Sequence, residues 1–349
     1  MSAAHERMLA AVFREKREIV VEEWPVPDVG PKEVLIEVSH CGICGTDLHV
    51  VLEGMGVRNS IGGHEYSGRV VALGAEVTGW EVGAEVVGGP RVGCGTCPPC
   101  RAGRPSLCAG RGSIGMGGFQ GAFADFVKVD ASQLLAIPEG LGLREAALAE
   151  PLAVALHALT LAAPQPGERV LVTGAGPLGL LLIAALRARG LEDVRASEPA
   201  PLRREQAGRV GAKRLFEPEQ LTMKPIPFDL ASDPVDVVFE CSGNPAAMET
   251  GLGQLDRMGR LVLVGTGIRR PKFDHNRILL NELIVMGAYN YDETGMSDAL
   301  DLLAAGRLPI EELIEPDGVP LSGLLGALEG LESGALTRKV MIVPRETER

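Results

Sequence analysis

The sequence predicts an α/β protein of two domains, one β-rich and partly barrel-like, the other a doubly wound parallel sheet. Three observations predict it. A chain of 349 residues with 46% hydrophobic residues is too long for one ordinary domain and apolar enough to bury two cores. From Glu33 to about Ala136, short β-rich runs alternate with many glycines and few long helical patterns. From Arg169 onward, apolar strands alternate with helical runs, as in a parallel sheet covered by helices.

Within the first region, Val34 to Val38 and Arg69 to Leu73 read as strands. Arg144 to Ala162 reads as one helix. The apolar run Arg169 to Thr173 reads as a strand that enters a glycine turn and then a helix from Pro177 to Arg189. Further strands are expected at Val194 to Ser197, Val235 to Glu240, Leu261 to Val264 and Leu283 to Met286, with a helix at Ala246 to Leu255 between two of them. After Tyr291 the texture changes, with a helix near Met296 to Ala305 and a last strand at Lys339 to Val343, so the tail is expected to return to the first domain.

The net charge of -12 leaves no extended basic surface, which argues against nucleic acid and anionic membranes as partners. Met1 to Val20 is interrupted by His5, Glu6, Arg7, Arg14, Glu15 and Lys16, so no signal-peptide core is read there. The longest apolar stretch, Leu178 to Leu186, is too short to span a bilayer. A cytoplasmic enzyme is the expectation.

The seven cysteines favour metal over disulfides in such a chain. Cys94, Cys97, Cys100 and Cys108 form a C-x2-C-x2-C-x7-C pattern, with Gly93, Gly95, Gly103, Pro98 and Pro99 turning the chain between them. Four thiolates in reach of one ion describe a closed, structural zinc site with no open coordination position. A second set is dispersed: Cys44, His64, Glu65 and Glu150, a mixture of sulfur, imidazole and carboxylate donors suited to a catalytic zinc. Cys41 and Cys241 read as packing.

Gly174-Ala175-Gly176-Pro177-Leu178-Gly179 is a G-x-G-x-x-G turn between strand and helix, where backbone amides can face a pyrophosphate. Glu198 follows the next strand, 19 residues after Gly179, placed to bind the adenosine ribose hydroxyls and so to favour NAD over NADP. Arg203 and Arg204 keep NADP open, because arginines there can hold a 2'-phosphate or stack on adenine.

Gly63-His64-Glu65 with Gly68, Gly74 and Val77, and Cys44-Gly45-Thr46-Asp47-x-His49, resemble the signature of zinc alcohol dehydrogenases. The four-cysteine lobe, Glu150-Pro151, the glycine turn and Lys339-Val340 follow in the same order, so the chain is similar over most of its length to the zinc-dependent medium-chain dehydrogenase/reductase superfamily. Glu150-Pro151 is similar to the polyol, butanediol and glucose dehydrogenase branches, whereas simple alcohol dehydrogenases place a cysteine there. Ala84-Glu85 departs from the Gly-Asp-Arg-Val turn usual in the family.

The resemblance implies a GroES-like catalytic domain over 1–155, completed by 290–349, and a Rossmann domain over 156–289. It implies two zinc ions per chain, with Cys44 and His64 on the catalytic ion and either Glu65 or Glu150 completing the shell. Asp47 would orient His64, Thr46 and His49 would carry a proton to solvent, and Arg203 and Lys339 would contact the cofactor, Lys339 at its pyrophosphate. The reaction implied is hydride transfer between a secondary alcohol, diol or polyol and NAD, in a homodimer or homotetramer whose contact could form at the sheet edge Leu283 to Tyr289. The other readings are an NAD-binding redox sensor and an NADP-dependent reductase or lyase on the same scaffold. Leu48, Val51, Met55 and Met116 read equally as an apolar substrate approach and as core.

Overall fold

The computed structural model describes residues 6–88, 93–110, 120–292 and 294–345. It divides into two units: residues 1–151, 292–306 and 314–349 in the first, 152–291 and 307–313 in the second. The stretch 307–313 thus leaves the tail that was expected to complete the first domain. Its tie is local: the Gln206 side-chain amide donates to the backbone carbonyl (2.7 Å) and carboxylate (2.8 Å) of Glu312.

The first unit opens with strands β1 (Arg7–Glu15) and β2 (Glu18–Pro25), a hairpin the sequence reading did not single out. Next come β3 (Glu33–Gly42), helix α1 (Gly45–Leu52), β4 (Ser60–Ile61), β5 (Glu65–Leu73) and β6 (Glu85–Gly88). The short helix α2 (Pro98–Arg101) lies in the cysteine lobe, followed by β7 (Phe126–Asp130) and β8 (Leu134–Ala136). One sheet runs β2-β1-β4. The other is antiparallel, with β3 central between β5 and β7. Inward-facing Val34, Ile36, Tyr66, Val70, Phe123 and Val127 form the core between these sheets.

The helix expected over 144–162 is two, α3 (Leu143–Ala146) and α4 (Ala149–Ala162). Pro151 explains the break, since it has no N–H for the carbonyl of Ala147 and is tolerated only in a first turn. Glu150 therefore stands at the start of α4.

The second unit alternates as expected: β9 (Arg169–Thr173), α5 (Pro177–Ala188), β10 (Asp193–Ser197), α6 (Pro201–Arg209), β11 (Arg214–Phe216), β12 (Val235–Glu240), α7 (Pro245–Gln254), β13 (Leu255–Leu263), α8 (His275–Leu280) and β14 (Ile284–Gly287). All pairs in its six-stranded sheet are parallel, in the order β11-β10-β9-β12-β13-β14. The order reverses between β9 and β12, the switch point at which a doubly wound sheet opens a crevice. The α helix usual in such a crossover is missing between β11 and β12. Arg277, 2% exposed, holds that loop by donating to the carbonyls of Lys224, Ile226 and Asp229, while Asn281 takes that of Pro227.

Returning to the first unit, the chain adds α9 (Gly295–Ala304), α10 (Leu324–Ser333) and β15 (Met341–Ile342). β15 pairs antiparallel with the end of β3, opposite Cys41 and Gly42. No helix among the described residues is long and apolar enough to cross a membrane.

Candidate metal and dinucleotide sites

The lobe cysteines lie on tight turns, and their four sulfurs fall within 4.8 Å of one another without forming a disulfide. Amide hydrogens of Cys94 and Gly110 point at the Cys108 sulfur, each 3.3 Å away, and the amide of Cys97 points at the Cys94 sulfur. Donation from the Thr96 side chain and from the Thr96 and Cys97 amides lowers the Cys94 thiol to about 5. Amides aimed at sulfur stabilise thiolates. Burial pushes the Cys100 thiol the other way, up to about 12, yet four sulfurs gathered within 4.8 Å of one another fit a structural zinc. The lobe is anchored at its base, where Arg104 and Ser106 donate to Asp292.

The second group assembles from two elements that meet at the end of the β3–β5 ladder. Cys44 is the N-cap of α1, and His64 and Glu65 lead into β5. Gly63 makes this possible: at φ +91° it takes a left-handed turn, and a Cβ there would meet the Phe123 amide at 2.8 Å and the Cys41 sulfur at 2.9 Å. One donor atom each from Cys44, His64 and Glu65 lies within 4.8 Å of the others. Sulfur, imidazole and carboxylate converging with no fourth donor in the group among the described residues fit a zinc with an open position.

Glu150 is not in that group, yet its charge acts on the same residues. Burial, reinforced by Glu65 and opposed by His64, pushes its carboxyl up to about 7. Asp47 is 5% exposed and accepts from the Cys44 amide at 2.8 Å. Burial raises its pKa against the pull of His64. His64 is lifted well above an ordinary imidazole: burial lowers it, but Cys44, Asp47 and Glu150 outweigh that. An imidazole that attracts a proton among acids and a thiol is also one that a cation would serve.

Lys339, which the resemblance places at a cofactor pyrophosphate, is 3% exposed, and its ammonium donates to the Ile43 carbonyl at 2.8 Å and to Glu65. Its nitrogen stands 2.8 Å from one Glu65 oxygen and 2.7 Å from the other. Sequence reasoning missed this pair, because nothing local joins residues 274 positions apart. Gly42 is the only trace of it, since a Cβ there would overlap the Glu65 carboxylate.

On α1, Thr46 and His49 lie three residues apart and so share a face. The Cys44 thiol donates to the Thr46 hydroxyl at 3.7 Å, and the His49 ring is 3.2 Å from Glu53. Val51 belongs to the core and Leu48 packs against it; Met55 is exposed, and Met116 lies outside the described residues.

In the second unit the glycine turn stands at the end of β9. Gly174 has φ +88°, where a Cβ would meet the Ser242 amide at 2.8 Å, and a Cβ on Gly179 would overlap the Gly174 carbonyl. Gly176, the N-cap of α5, has open space on its Cα, the vacancy a phosphate needs beside helix amides. Pro177 and Leu178 begin the helix. Glu198 is 5% exposed; one oxygen accepts from the Ala175 amide at 2.8 Å and the other from the Ala200 amide at 3.0 Å. Arg204 is engaged with the carbonyls of Glu198 and Pro199 and with Glu217, whereas Arg203 is half-buried beside Glu198, its pKa lowered by burial. Cys241 is half-buried beyond the end of β12.

Comparison with known proteins matches the chain to two domain families. Residues 30–139 match the alcohol dehydrogenase GroES-like domain, and residues 177–305 match the zinc-binding dehydrogenase domain. The chain is 34% identical to sorbitol dehydrogenase of Bacillus subtilis over 347 residues, 97% of this chain and 98% of that protein. It is 36% identical to L-threonine 3-dehydrogenase of Xanthomonas oryzae over 340 residues, 96% and 99% of the two chains. Its structure superposes with a TM-score of 0.86 on a protein of Sinorhizobium meliloti described as a zinc-binding dehydrogenase and bound to NADP, 31% identical, covering 97% and 100% of the chains. With its zinc donors, glycine turn and both matching domains, the chain belongs to the zinc-dependent medium-chain dehydrogenase/reductase superfamily and is an oxidoreductase of that family.

Proposed function

We propose that the protein oxidises a secondary hydroxyl of a diol or polyol, or reduces the matching ketone, with NAD as hydride carrier. The convergence of Cys44, His64 and Glu65 with Glu150 acting on the same residues carries this reading. A carboxylate in place of a second thiolate makes a harder, more polar site, suited to a substrate with several hydroxyls. The sorbitol dehydrogenase relative supports the same class.

Cys44, His64 and Glu65 would hold the catalytic zinc, and Glu150 is the further buried carboxyl group whose charge acts on His64 and Glu65. When bound, zinc supplies Lewis acidity toward the substrate hydroxyl and NAD supplies the hydride acceptor. Glu65 can serve both Lys339 and a metal, because a carboxylate offers about four lone-pair directions. Asp47 holds the turn that presents Cys44 and faces His64. Thr46, one turn of α1 from His49, takes the hydroxyl proton, and His49 passes it to solvent. The buried carboxylate of Glu198 at the glycine turn disfavours a 2'-phosphate, which supports NAD.

We also propose that the protein works in the cytoplasm, where its unpaired cysteines stay reduced, and as a homo-oligomer paired through β14. The deciding experiment measures reduction of NAD and NADP in parallel by the zinc-loaded protein with diols, polyols, simple secondary alcohols and threonine. Diols or polyols with NAD should give the highest kcat/KM. No turnover with any hydroxyl substrate would sink the proposal, and preference for threonine would reassign its substrate.

A further inference from the structure

Glu240 is completely buried at the end of β12, and no step described above uses it. Its carboxylate is fully engaged: one oxygen accepts from the Ser242 amide at 2.8 Å and from the Ser242 hydroxyl, the other from the Gly243 amide at 3.1 Å. Its backbone carbonyl accepts from the amides of Val264 and Gly265, both at 2.8 Å, just beyond β13. The next residue, Cys241, donates its amide to the Thr173 carbonyl of β9, also at 2.8 Å.

Glu240 thus shapes the loop after β12 with its side chain and holds the loop after β13 with its carbonyl, while Cys241 beside it holds the end of β9; the three strands are adjacent at the carboxyl edge of the sheet. The loops are packed backbone to backbone. A Cβ on Gly174 would meet the Ser242 amide and side chain at 2.8 Å. One on Gly243, at φ +68°, or on Gly267 would overlap the carbonyl of Thr266 or Gly243, and one on Gly265 would overlap the Gly243 amide. Such packing tolerates no slack, so the shape of the β12 loop sets the position of Gly174. A buried carboxylate that collects three donors is costly to desolvate and is kept where it fixes a backbone.

We propose that Glu240 is a positioning residue for the dinucleotide, holding the loops after β12 and β13 against the glycine turn so that the half of the cofactor beyond the pyrophosphate meets a preformed floor. This rests on the dinucleotide-binding reading of the glycine turn. Glu198 lies on the β10 side of that turn and Glu240 on the β12 side. The two buried acids flank the switch point, and the adenosine half is expected on the Glu198 side. Loss of Glu240 should therefore weaken the whole dinucleotide and spare its adenosine half.

The test uses the zinc-loaded full chain and its variants Glu240→Gln and Glu240→Ala, with Kd measured for NADH, NADPH and AMP by fluorescence titration and competition. Gln keeps the volume but turns an amide toward the Gly243 N–H. The expected result is about a tenfold rise in Kd for the dinucleotide in Glu240→Gln, more in Glu240→Ala, with Kd for AMP within twofold and zinc content unchanged. If Glu240→Ala does not fold, the isosteric variant decides. An unchanged dinucleotide Kd in Glu240→Gln overturns the proposal, as does equal weakening of AMP accompanied by a lower melting temperature, which marks a general fold defect. A wild-type protein that takes up neither NADH nor NADPH removes the dinucleotide reading and this inference with it.

Discussion

The acid at position 150 shows how a single buried group ties stability to pH. Burial holds Glu150 protonated up to about 7, above the ordinary value of 4.5 that it has in the unfolded chain. The folded metal-free protein therefore binds more protons than the unfolded one between these values, and its stability falls as pH rises through that window. Glu150→Gln removes the cost. Metal-stripped Glu150→Gln should be more stable than metal-stripped wild type at pH 8, by on the order of 3 kcal/mol, and the gap should close below about pH 4.5. Urea unfolding at a series of pH values measures it, and a gap that does not grow with pH would show that Glu150 ionises freely in the folded state. Zinc content tests its neighbours at the same scale. Cys44→Ser or His64→Ala should leave one zinc per chain by elemental analysis, retained by the lobe cysteines. Of the two glutamates, Glu65→Gln should lower the content further than Glu150→Gln.

Much of this site was legible in the sequence because the chemistry constrains residue types. Four cysteines spaced by prolines and glycines, a His-Glu pair after glycine, and a G-x-G-x-x-G after an apolar strand each state a local requirement. The pairing of Lys339 with Glu65 is not legible for the converse reason: it is made by β15 lying against the end of β3, a tertiary pairing without a local pattern. Glu240 was passed over inside the apolar run Val235–Glu240, where an acid closing a strand reads as its end.

Among the elements, the sequence reading found the second unit more completely than the first. Its central strands β9 and β12 are buried on both faces and so read as continuous apolar runs, whereas β1 and β2 alternate in mixed company and were not singled out. The division of the 144–162 helix follows from Pro151 alone. The helix-free crossover before β12 was not foreseen, because what holds it is Arg277, some 50 residues further along the chain, taking carbonyls that a helix would have satisfied internally. Arg277→Met should cost about 2–3 kcal/mol by leaving three carbonyls to find water, and should raise amide exchange in 224–229 ahead of the sheet. Uniform exchange would show that the loop holds itself. Met258 offers a gain: it sits at φ +63° and is 70% exposed, so its side chain contributes little packing while its backbone is strained. Met258→Gly should stabilise the protein by about 0.5–1 kcal/mol in denaturant unfolding.

For the whole molecule, the sheet of the second unit ends in two unlike edges. β11 is three residues long and opens with Arg214, a cation that discourages pairing with another strand. β14 carries no charge and no proline: it reads Ile-Val-Met-Gly, with Ile284 49% exposed, and Leu279 and Leu280 are exposed on the helix just before it. A parallel sheet is normally covered on both faces and its edges guarded, so a bare apolar edge signals a partner strand. A second copy of the same strand is the simplest partner, because two antiparallel edges related by a two-fold axis satisfy each other's amides and carbonyls at once. The protein should therefore show a native mass of at least twice its 36.8 kDa by light scattering. Ile284→Lys should lower that mass toward the single chain while leaving zinc content intact, since no zinc donor lies in the second unit. A wild-type mass of one chain would refute pairing through β14, and an assembly unaffected by Ile284→Lys would place the contact on another face.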